Sequence, residues 1–161
     1  MKKVNRMQSG FSRLIITVAL FLLSGAMSPL FAQFNDTMDV VLAQEKLTMG
    51  AASFLLLTGT GFLDDGSTLE QAAAALAQKI PEAKAAWDKE ITLGEYSLYM
   101  MKLNRMKGGL MYALFPNGRY ALRELRYLDV VQGQAFPAMS LSGERAARIL
   151  GKLLTWKETG K

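Results

Sequence analysis

Apolar residues recur with a helical period near the end of the chain. After Ser142, apolar side chains stand at offsets 4, 7, 8 and 11, which are Ala146, Ile149, Leu150 and Leu153. This spacing places all four on one face of an α-helix with 3.6 residues per turn. Ser142 fits the N-cap position, because its hydroxyl can accept a hydrogen bond from a backbone N–H that has no intrahelical partner. The pattern therefore predicts an amphipathic helix that starts at Ser142.

The same pattern occurs twice earlier in the chain. Thr92 is followed by apolar residues at the same four offsets, and Thr48 is followed by them at offsets 4, 7 and 8. Caps separated by 44 and 50 residues favour a repeat in which each unit buries its apolar face against its neighbours. Chance similarity between capped amphipathic helices is the alternative. We predict an all-α fold of two to three compact helix–loop–helix repeats, with units at about residues 38–60, 67–107 and 118–157.

Shorter patterns predict the helices within these units. A single helix is predicted over residues 38–57, and another over residues 67–79. The second of these opens with a predicted capping box between Ser67 and Glu70. Pro81 predicts the start of a short helix, because proline suits the first helical position. These helices would supply the first two units of the repeat.

Aromatic residues are expected mainly in the core. Tyr96, Tyr99 and Met100 share one face of the helix that follows Thr92, and such a stripe is normally buried. We predict that Trp87 fills the core between repeats, and stacking of its ring on a sugar is the alternative.

Residues 119–154 carry the most distinctive motifs of the chain. The Tyr120-Ala121 pair precedes spaced apolar residues, and Leu141-Ser142 with Glu144 opens the following helix, as Ile91-Thr92 with Glu95 opens the earlier one. The stretch resembles the S-layer homology domain, a helical module usually found in tandem sets of three, and the resemblance extends more weakly over residues 69–103. It implies a repeat fold and binding of a cell-wall polymer.

The resemblance is incomplete at two places. The arginine that follows the threonine in that family is tied to wall-polymer binding, and its position here is held by Met49, Leu93 and Gly143. The usual Asp-Gly turn between the two helices is absent from Gln132–Ser140. The expected fold is less affected by these departures than the expected ligand.

Composition excludes much of the common chemistry. The chain has no cysteine and no histidine, so it lacks disulfides, a thiolate metal site, a catalytic thiol and the commonest general base. Asp64-Asp65-Gly66 lacks the alternating ligands of a calcium loop and is interpreted as a turn. No catalytic residues, metal site or cofactor are predicted, and we expect that the protein is not an enzyme.

The first 32 residues are predicted to be a secretory signal peptide. Lys2, Lys3, Arg6 and Arg13 precede the apolar run Leu14–Leu23, and small residues follow it. Cleavage is predicted after Ala32, with Ala26 as another candidate. An uncleaved anchor is the alternative, although spanning a bilayer takes about 20 apolar residues and this run is shorter. Export to the periplasm or cell envelope is therefore expected for a single α-helical domain at residues 33–161.

Charge is distributed unevenly along the predicted mature chain. Residues 33–101 carry a net charge of −6, whereas residues 102–161 carry a net charge of +7. In the last unit, two helical stripes of cations could bind phosphate or carboxylate groups through paired donors: Arg119, Arg123 and Arg126, and Arg145, Arg148 and Lys152. A solvated outer face and head-to-tail self-association of the acidic and basic halves are the alternatives.

These features predict a non-enzymatic, exported envelope module. The expected partner of its basic last unit is an anionic cell-wall polymer or an envelope protein. A periplasmic structural or scaffolding protein that binds only other proteins is the alternative. Nucleic acid is not an expected partner, because the basic isoelectric point of the whole chain comes largely from the leader. No transmembrane span is expected after residue 32.

Overall fold

Thr48, Thr92 and Ser142, the three caps that define the predicted repeat, each begin a helix. The structure, a computed structural model, describes residues 28–63, 66–84 and 86–160, with side chains described from residue 35 onward. Within these residues it contains seven helices and no strand, which confirms the all-α prediction. The helices are α1 (Ser28–Leu42), α2 (Met49–Gly59), α3 (Leu69–Lys79), α4 (Leu93–Leu103), α5 (Leu110–Leu114), α6 (Gly118–Tyr127) and α7 (Gly143–Thr159).

The three predicted caps act through their side-chain oxygens. Thr48 accepts from the backbone N–H of Ala51, Thr92 from that of Glu95, and Ser142 from that of Arg145. At α4 the Glu95 carboxylate also accepts from the backbone N–H of Thr92, which completes a capping box. These local bonds satisfy backbone donors at the helix ends, so the sequence is sufficient to specify where α2, α4 and α7 begin.

The segments that carry these caps meet in a closed ring. The first segment, around Thr48, is joined to the second, around Thr92, by hydrogen bonds from Met49 N to Lys89 O (2.8 Å) and from Ile91 N to Leu47 O (2.9 Å). The second and third are joined by a bond from Leu93 N to Met139 O (2.8 Å). The third returns to the first through Gly143 N to Gln44 O (2.8 Å) and Leu47 N to Leu141 O (2.6 Å). Each of the three units is thereby bonded to both others.

Helix packing follows the same cyclic order. The first helix of each unit packs on the second helix of the preceding unit, so α3 lies on α2, and α6 lies on α4. The cycle closes where α1 packs on α7, which also contacts α2. Most large side chains of these inner faces are fully buried, including Phe54, Leu76, Tyr96, Leu125 and Leu153. A single hydrophobic core therefore holds the three units together.

Glycine is required where the ring closes. A Cβ atom on Gly143 would lie 1.8 Å from the backbone oxygen of Val41, and one on Gly118 would lie 2.7 Å from the backbone carbon of Gly94. Real Cβ atoms do not approach other atoms this closely. The missing side chains thus let α7 approach the end of α1 and let α6 approach the start of α4.

Several detailed predictions were wrong. The helix predicted over residues 38–57 is interrupted between α1 and α2, because Gln44 accepts from the backbone N–H of Thr48 and Thr48 then caps a new helix. The capping box of α3 joins Thr68 and Gln71 in place of Ser67 and Glu70.

The stretch between α3 and α4 also differs from the prediction. No helix starts at Pro81 among the described residues of this stretch. The side chain of Trp87 is 45% exposed, so it does not fill the core. It is the backbone oxygen of Trp87 that serves packing, by accepting from Gly50 N at 2.7 Å. The predicted burial of Tyr96, Tyr99 and Met100 is confirmed.

The predicted leader lies outside the described residues, apart from residues 28–32 in the first turns of α1. The cleavage site after Ala32 therefore stays a prediction, as does the turn at Asp64-Asp65-Gly66, because Asp64 and Asp65 also lie outside the described residues. Among the helices that the structure describes, none has the length and apolar character needed to cross a bilayer.

Candidate anion-binding groove on the last unit

Helix α6 presents three arginines on its outer face. Asn117 caps the helix by accepting from the backbone N–H groups of Arg119 and Tyr120. The inner face buries Ala121, Leu122 and Leu125 against α4. Helical spacing places Arg119, Arg123 and Arg126 together on the side of α6 away from Ala121 and Leu125, and all three are exposed. The structure thus brings together the first predicted basic stripe.

The three arginines line a groove of about 430 Å³ between α6 and the loop that precedes α7. Leu122 and Tyr127 contribute to its walls from α6, and Ala135 and Pro137 contribute from the loop. The ring of Tyr127 is 86% exposed. The groove therefore combines cationic donors with an apolar floor and an accessible aromatic face.

Backbone contacts hold the loop wall in place. Gly94 at the start of α4 donates to the backbone oxygen of Pro137 at 2.9 Å. A Cβ atom on Gly94 would lie 2.8 Å from the same oxygen, so the loop rests directly on the helix backbone. Gly118 contacts Gly94 from the other side. Both walls of the groove are consequently fixed to α4.

Arg145 belongs to the second predicted stripe, yet it stabilises the loop. Its guanidinium donates to the backbone oxygen of Gln134 at 2.5 Å and to the sulfur of Met139 at 3.0 Å. These bonds hold the two ends of the segment that carries Ala135 and Pro137. Arg145 is therefore a positioning residue for the groove wall.

The other two members of the second stripe lie apart from the groove. Arg148 forms an ion pair with Glu144 at 2.9 Å, and both side chains are largely exposed. Lys152 lines a separate groove of about 400 Å³ with Asp129 and Trp156. The structure does not combine the two predicted stripes into one surface, because α6 and α7 present them in different directions.

The groove arginines have no compensating acid in the described part of the chain. Their side chains form no ion pair there, whereas Lys46, Lys102 and Arg148 each do. Glu124 is on the same helix, but its carboxylate points toward Gly109, at the start of α5. One carboxylate oxygen lies 3.0 Å from the position that a Cβ atom on Gly109 would take. Three unpaired guanidinium groups are thus available for an anionic ligand.

A larger cleft was missed by the sequence analysis. Its volume is about 810 Å³, and it lies where α2, α3, α4 and α7 end. Among the described residues, Glu82 is the one carboxylate that lines it, beside four cations: Lys79, Lys102, Arg105 and Lys157. Basic residues in the last turns of α3, α4 and α7 were the available signal. Such residues are common at helix C-termini, so the pattern did not stand out.

Three of the four cations that line the cleft interact with neighbouring side chains. The ammonium group of Lys79 lies 4.1 Å from the centroid of the Phe62 ring. Lys157 donates to the side-chain oxygen of Asn104 at 2.9 Å. Lys102 pairs with Glu82, and this hydrogen bond is the main cause that lowers the pKa of the Glu82 carboxyl from its usual range. The carboxylate therefore stays ionised at neutral pH and offsets one of the four positive charges.

Neither basic region holds a cluster of metal ligands among the described residues. Among the described residues, no group of three acidic side chains could hold a metal ion. The tyrosines with raised pKa values, Tyr96, Tyr99 and Tyr112, owe the shift mainly to burial in the core. What the exposed groups can do is bind negative charge. No family model matches the chain, and comparison with curated proteins and with solved structures gives no match.

Proposed function

We propose that the chain is a non-enzymatic, exported envelope module that binds an anionic cell-wall polymer through the groove of Arg119, Arg123 and Arg126. The observation that carries this proposal is the set of three exposed arginines on one helix face, without an acidic partner among the described residues. Guanidinium groups match phosphate and carboxylate oxygens through paired donors. Tyr127 adds a flat apolar face on which a sugar ring can stack.

The groove geometry also supports a polymer as the ligand. It is an open groove beside a helix, and exposed Phe136 stands in its loop wall between the lining residues Ala135 and Pro137. The three arginines follow α6 over seven residues, or about 10 Å at 1.5 Å per residue. An extended chain with repeated anionic groups can reach all three, which a single small anion cannot.

The proposal rests in part on the resemblance to the S-layer homology domain. Three helix–loop–helix units that share one core are in keeping with a module that occurs in sets of three. The ligand contacts would have to differ, however. Met49, Leu93 and Gly143, which stand where that family has its arginine, are all buried at the junction of the units. Polymer binding is therefore proposed at α6 and not at the caps.

Retention on isolated cell-wall sacculi tests this function. We expect the exported protein to be retained at low salt and released near 1 M salt, where the screening length falls to about 3 Å. Replacing Arg119, Arg123 and Arg126 by glutamine should lower retention by about tenfold or more, because each charge-assisted hydrogen bond contributes at least about 1.5 kcal/mol. A matched variant, Lys84→Gln/Lys89→Gln/Arg148→Gln, removes the same charge from exposed positions outside the groove and should bind normally.

The alternative is a periplasmic scaffold that binds only other proteins. Exposed Tyr127 and Phe136 beside the arginines would suit such a partner as well. Absence of retention at low salt, or equal loss in the groove variant and the matched variant, would reject polymer binding at α6. Association with an envelope protein that persists in 1 M salt would then support the scaffold.

A further inference from the structure

The short helix α5 exposes most of its apolar side chains. Leu110, Met111, Leu114 and Phe115 are 73%, 47%, 59% and 61% exposed, respectively. At 100° per residue Leu110, Met111 and Leu114 lie on one side of the helix, and Tyr112, which is buried, points away from Leu110 and Leu114. Phe115 directly follows the last residue of the helix. A cluster of this size on one surface indicates a binding partner, because scattered apolar residues would need no explanation.

Helix α5 closely follows the large basic cleft in the chain. Arg105, a cleft residue, precedes Leu110 by five residues, a span of at most about 18 Å even when fully extended. Tyr112 packs on the other side of α5, and the Glu82 charge in the cleft is near enough to contribute to its raised pKa. Helix α5 and the cleft thus lie near each other, toward the end of the molecule where α2, α3, α4 and α7 end.

The cleft cations are not used to cap the neighbouring helices. The last carbonyls of α2 are satisfied by the Thr60 hydroxyl, which donates to Leu56 O at 2.6 Å. At α4 the Asn104 side chain donates to Met100 O at 2.9 Å. Since these polar side chains bond the helix ends, and Glu82 pairs with Lys102, the charges of Lys79, Lys157 and Arg105 remain available to a ligand.

The surrounding sequence is strongly basic. Residues 102–127 contain six basic residues and one acid, Glu124. Among the basic residues, Arg105 and Lys107 are exposed between the cleft and α5. Apolar side chains bordered by cations are suited to the boundary of an anionic bilayer, where the apolar groups enter the acyl region and the cations contact headgroup phosphates.

We propose that this end of the molecule binds the surface of a membrane containing anionic phospholipids. Leu110, Leu114 and Phe115 enter the bilayer, while Arg105 and Lys107 contact phosphates at its surface and the cleft receives a headgroup. This interaction uses different residues from the polymer groove, so it stands or falls separately from the function proposed above.

The absence of cysteine allows a direct test in the full-length chain. An environment-sensitive fluorophore is attached at Leu114→Cys, and the protein is titrated with vesicles of phosphatidylcholine alone or mixed with phosphatidylglycerol. A second protein, labelled at Ser140→Cys, reports on an exposed position at the end of the molecule where the caps meet. Because each probe reports the polarity at its own position, the signal at residue 114 distinguishes insertion of α5 from binding through another segment of the chain.

We expect a blue shift and quenching by spin-labelled lipids at residue 114 with anionic vesicles, and neither at residue 140. Arg105→Gln/Lys107→Gln should weaken the partition by about fivefold for each removed cation. The control Lys89→Gln/Arg148→Gln should leave it unchanged. Leu110→Ser in the labelled protein should weaken it by roughly tenfold.

Three results would overturn the proposal. The first is an unchanged probe at residue 114 with anionic vesicles. The second is an equal response to both kinds of vesicle, which would exclude recognition of anionic lipid. The third is a blue shift that develops without lipid as protein concentration rises, since a second copy of the chain would then cover α5.

Discussion

Closure of the ring at Gly143 can be tested by adding a single methyl group. In Gly143→Ala the new Cβ would meet the Val41 backbone oxygen at 1.8 Å, so the two backbones must separate by at least about 1.2 Å to reach an ordinary contact of about 3.0 Å. The hydrogen bond from Gly143 N to Gln44 O would be strained or lost. The variant therefore weakens the contact that joins the third unit to the first.

The expected magnitude follows from three contributions. Loss of the hydrogen bond costs about 1 kcal/mol. Overpacking at a rigid contact costs about 1–3 kcal/mol. Alanine recovers at most about 1 kcal/mol through its helix preference. The free energy of unfolding should fall by about 1–3 kcal/mol.

Gly151→Ala is the matched control for this substitution. Gly151 lies in the same helix, α7, and no atom lies within 4 Å of the position that a Cβ on it would take. Alanine should therefore raise the free energy of unfolding by about 0.5–1 kcal/mol. Urea unfolding followed by circular dichroism measures both variants. If Gly143→Ala proved as stable as Gly151→Ala, the close approach of α7 to α1 would not exist as described.

Three further substitutions test the caps, the core and the groove wall. Thr92→Ala should lower the free energy of unfolding by about 1 kcal/mol in urea, because the capping box of α4 is lost; no change would contradict a role for this cap. Burial raises the pKa of Tyr96, so this side chain ionises more readily in the unfolded state, where its pKa has the ordinary value of 10. The free energy of unfolding should therefore fall above pH 10 by about 1.4 kcal/mol per pH unit. Alkaline unfolding of Tyr96→Phe should show a shallower fall, and an unchanged slope would contradict the burial. Arg145→Gln should weaken polymer retention, because the loop at Gln134 loses its hydrogen bond to the guanidinium. Arg148→Gln breaks only an exposed ion pair and should leave both retention and stability unchanged. Equal effects of the two substitutions on retention would show that Arg145 does not position the loop.

The sequence was sufficient for features that depend on neighbouring residues. Caps such as Thr92 are recognisable because the bond to Glu95 N is made within one turn. The arginine stripe of α6 was predictable because helical spacing alone places Arg119, Arg123 and Arg126 together. In both cases the residues concerned belong to one helix, so their relative positions follow from helical geometry alone.

Features that depend on distant segments were not predictable. The break between α1 and α2 occurs in a sequence with no proline or glycine from residue 38 to residue 48, and it is stabilised by the return of α7 to Gln44. The role of Arg145 depends on the path of a loop that precedes its own helix. The basic cleft requires the ends of α3, α4 and α7 to converge, which no local pattern encodes.

The closed ring of caps limits how this fold can vary. In an open stack of repeats, a further unit can be added at either end, and the terminal units need polar outer faces. Here α1 occupies the surface of α7 on which another unit would have to pack. Adding or removing a unit would therefore open the ring. Such a fold can vary in its loops and outer helix faces more readily than in its number of units.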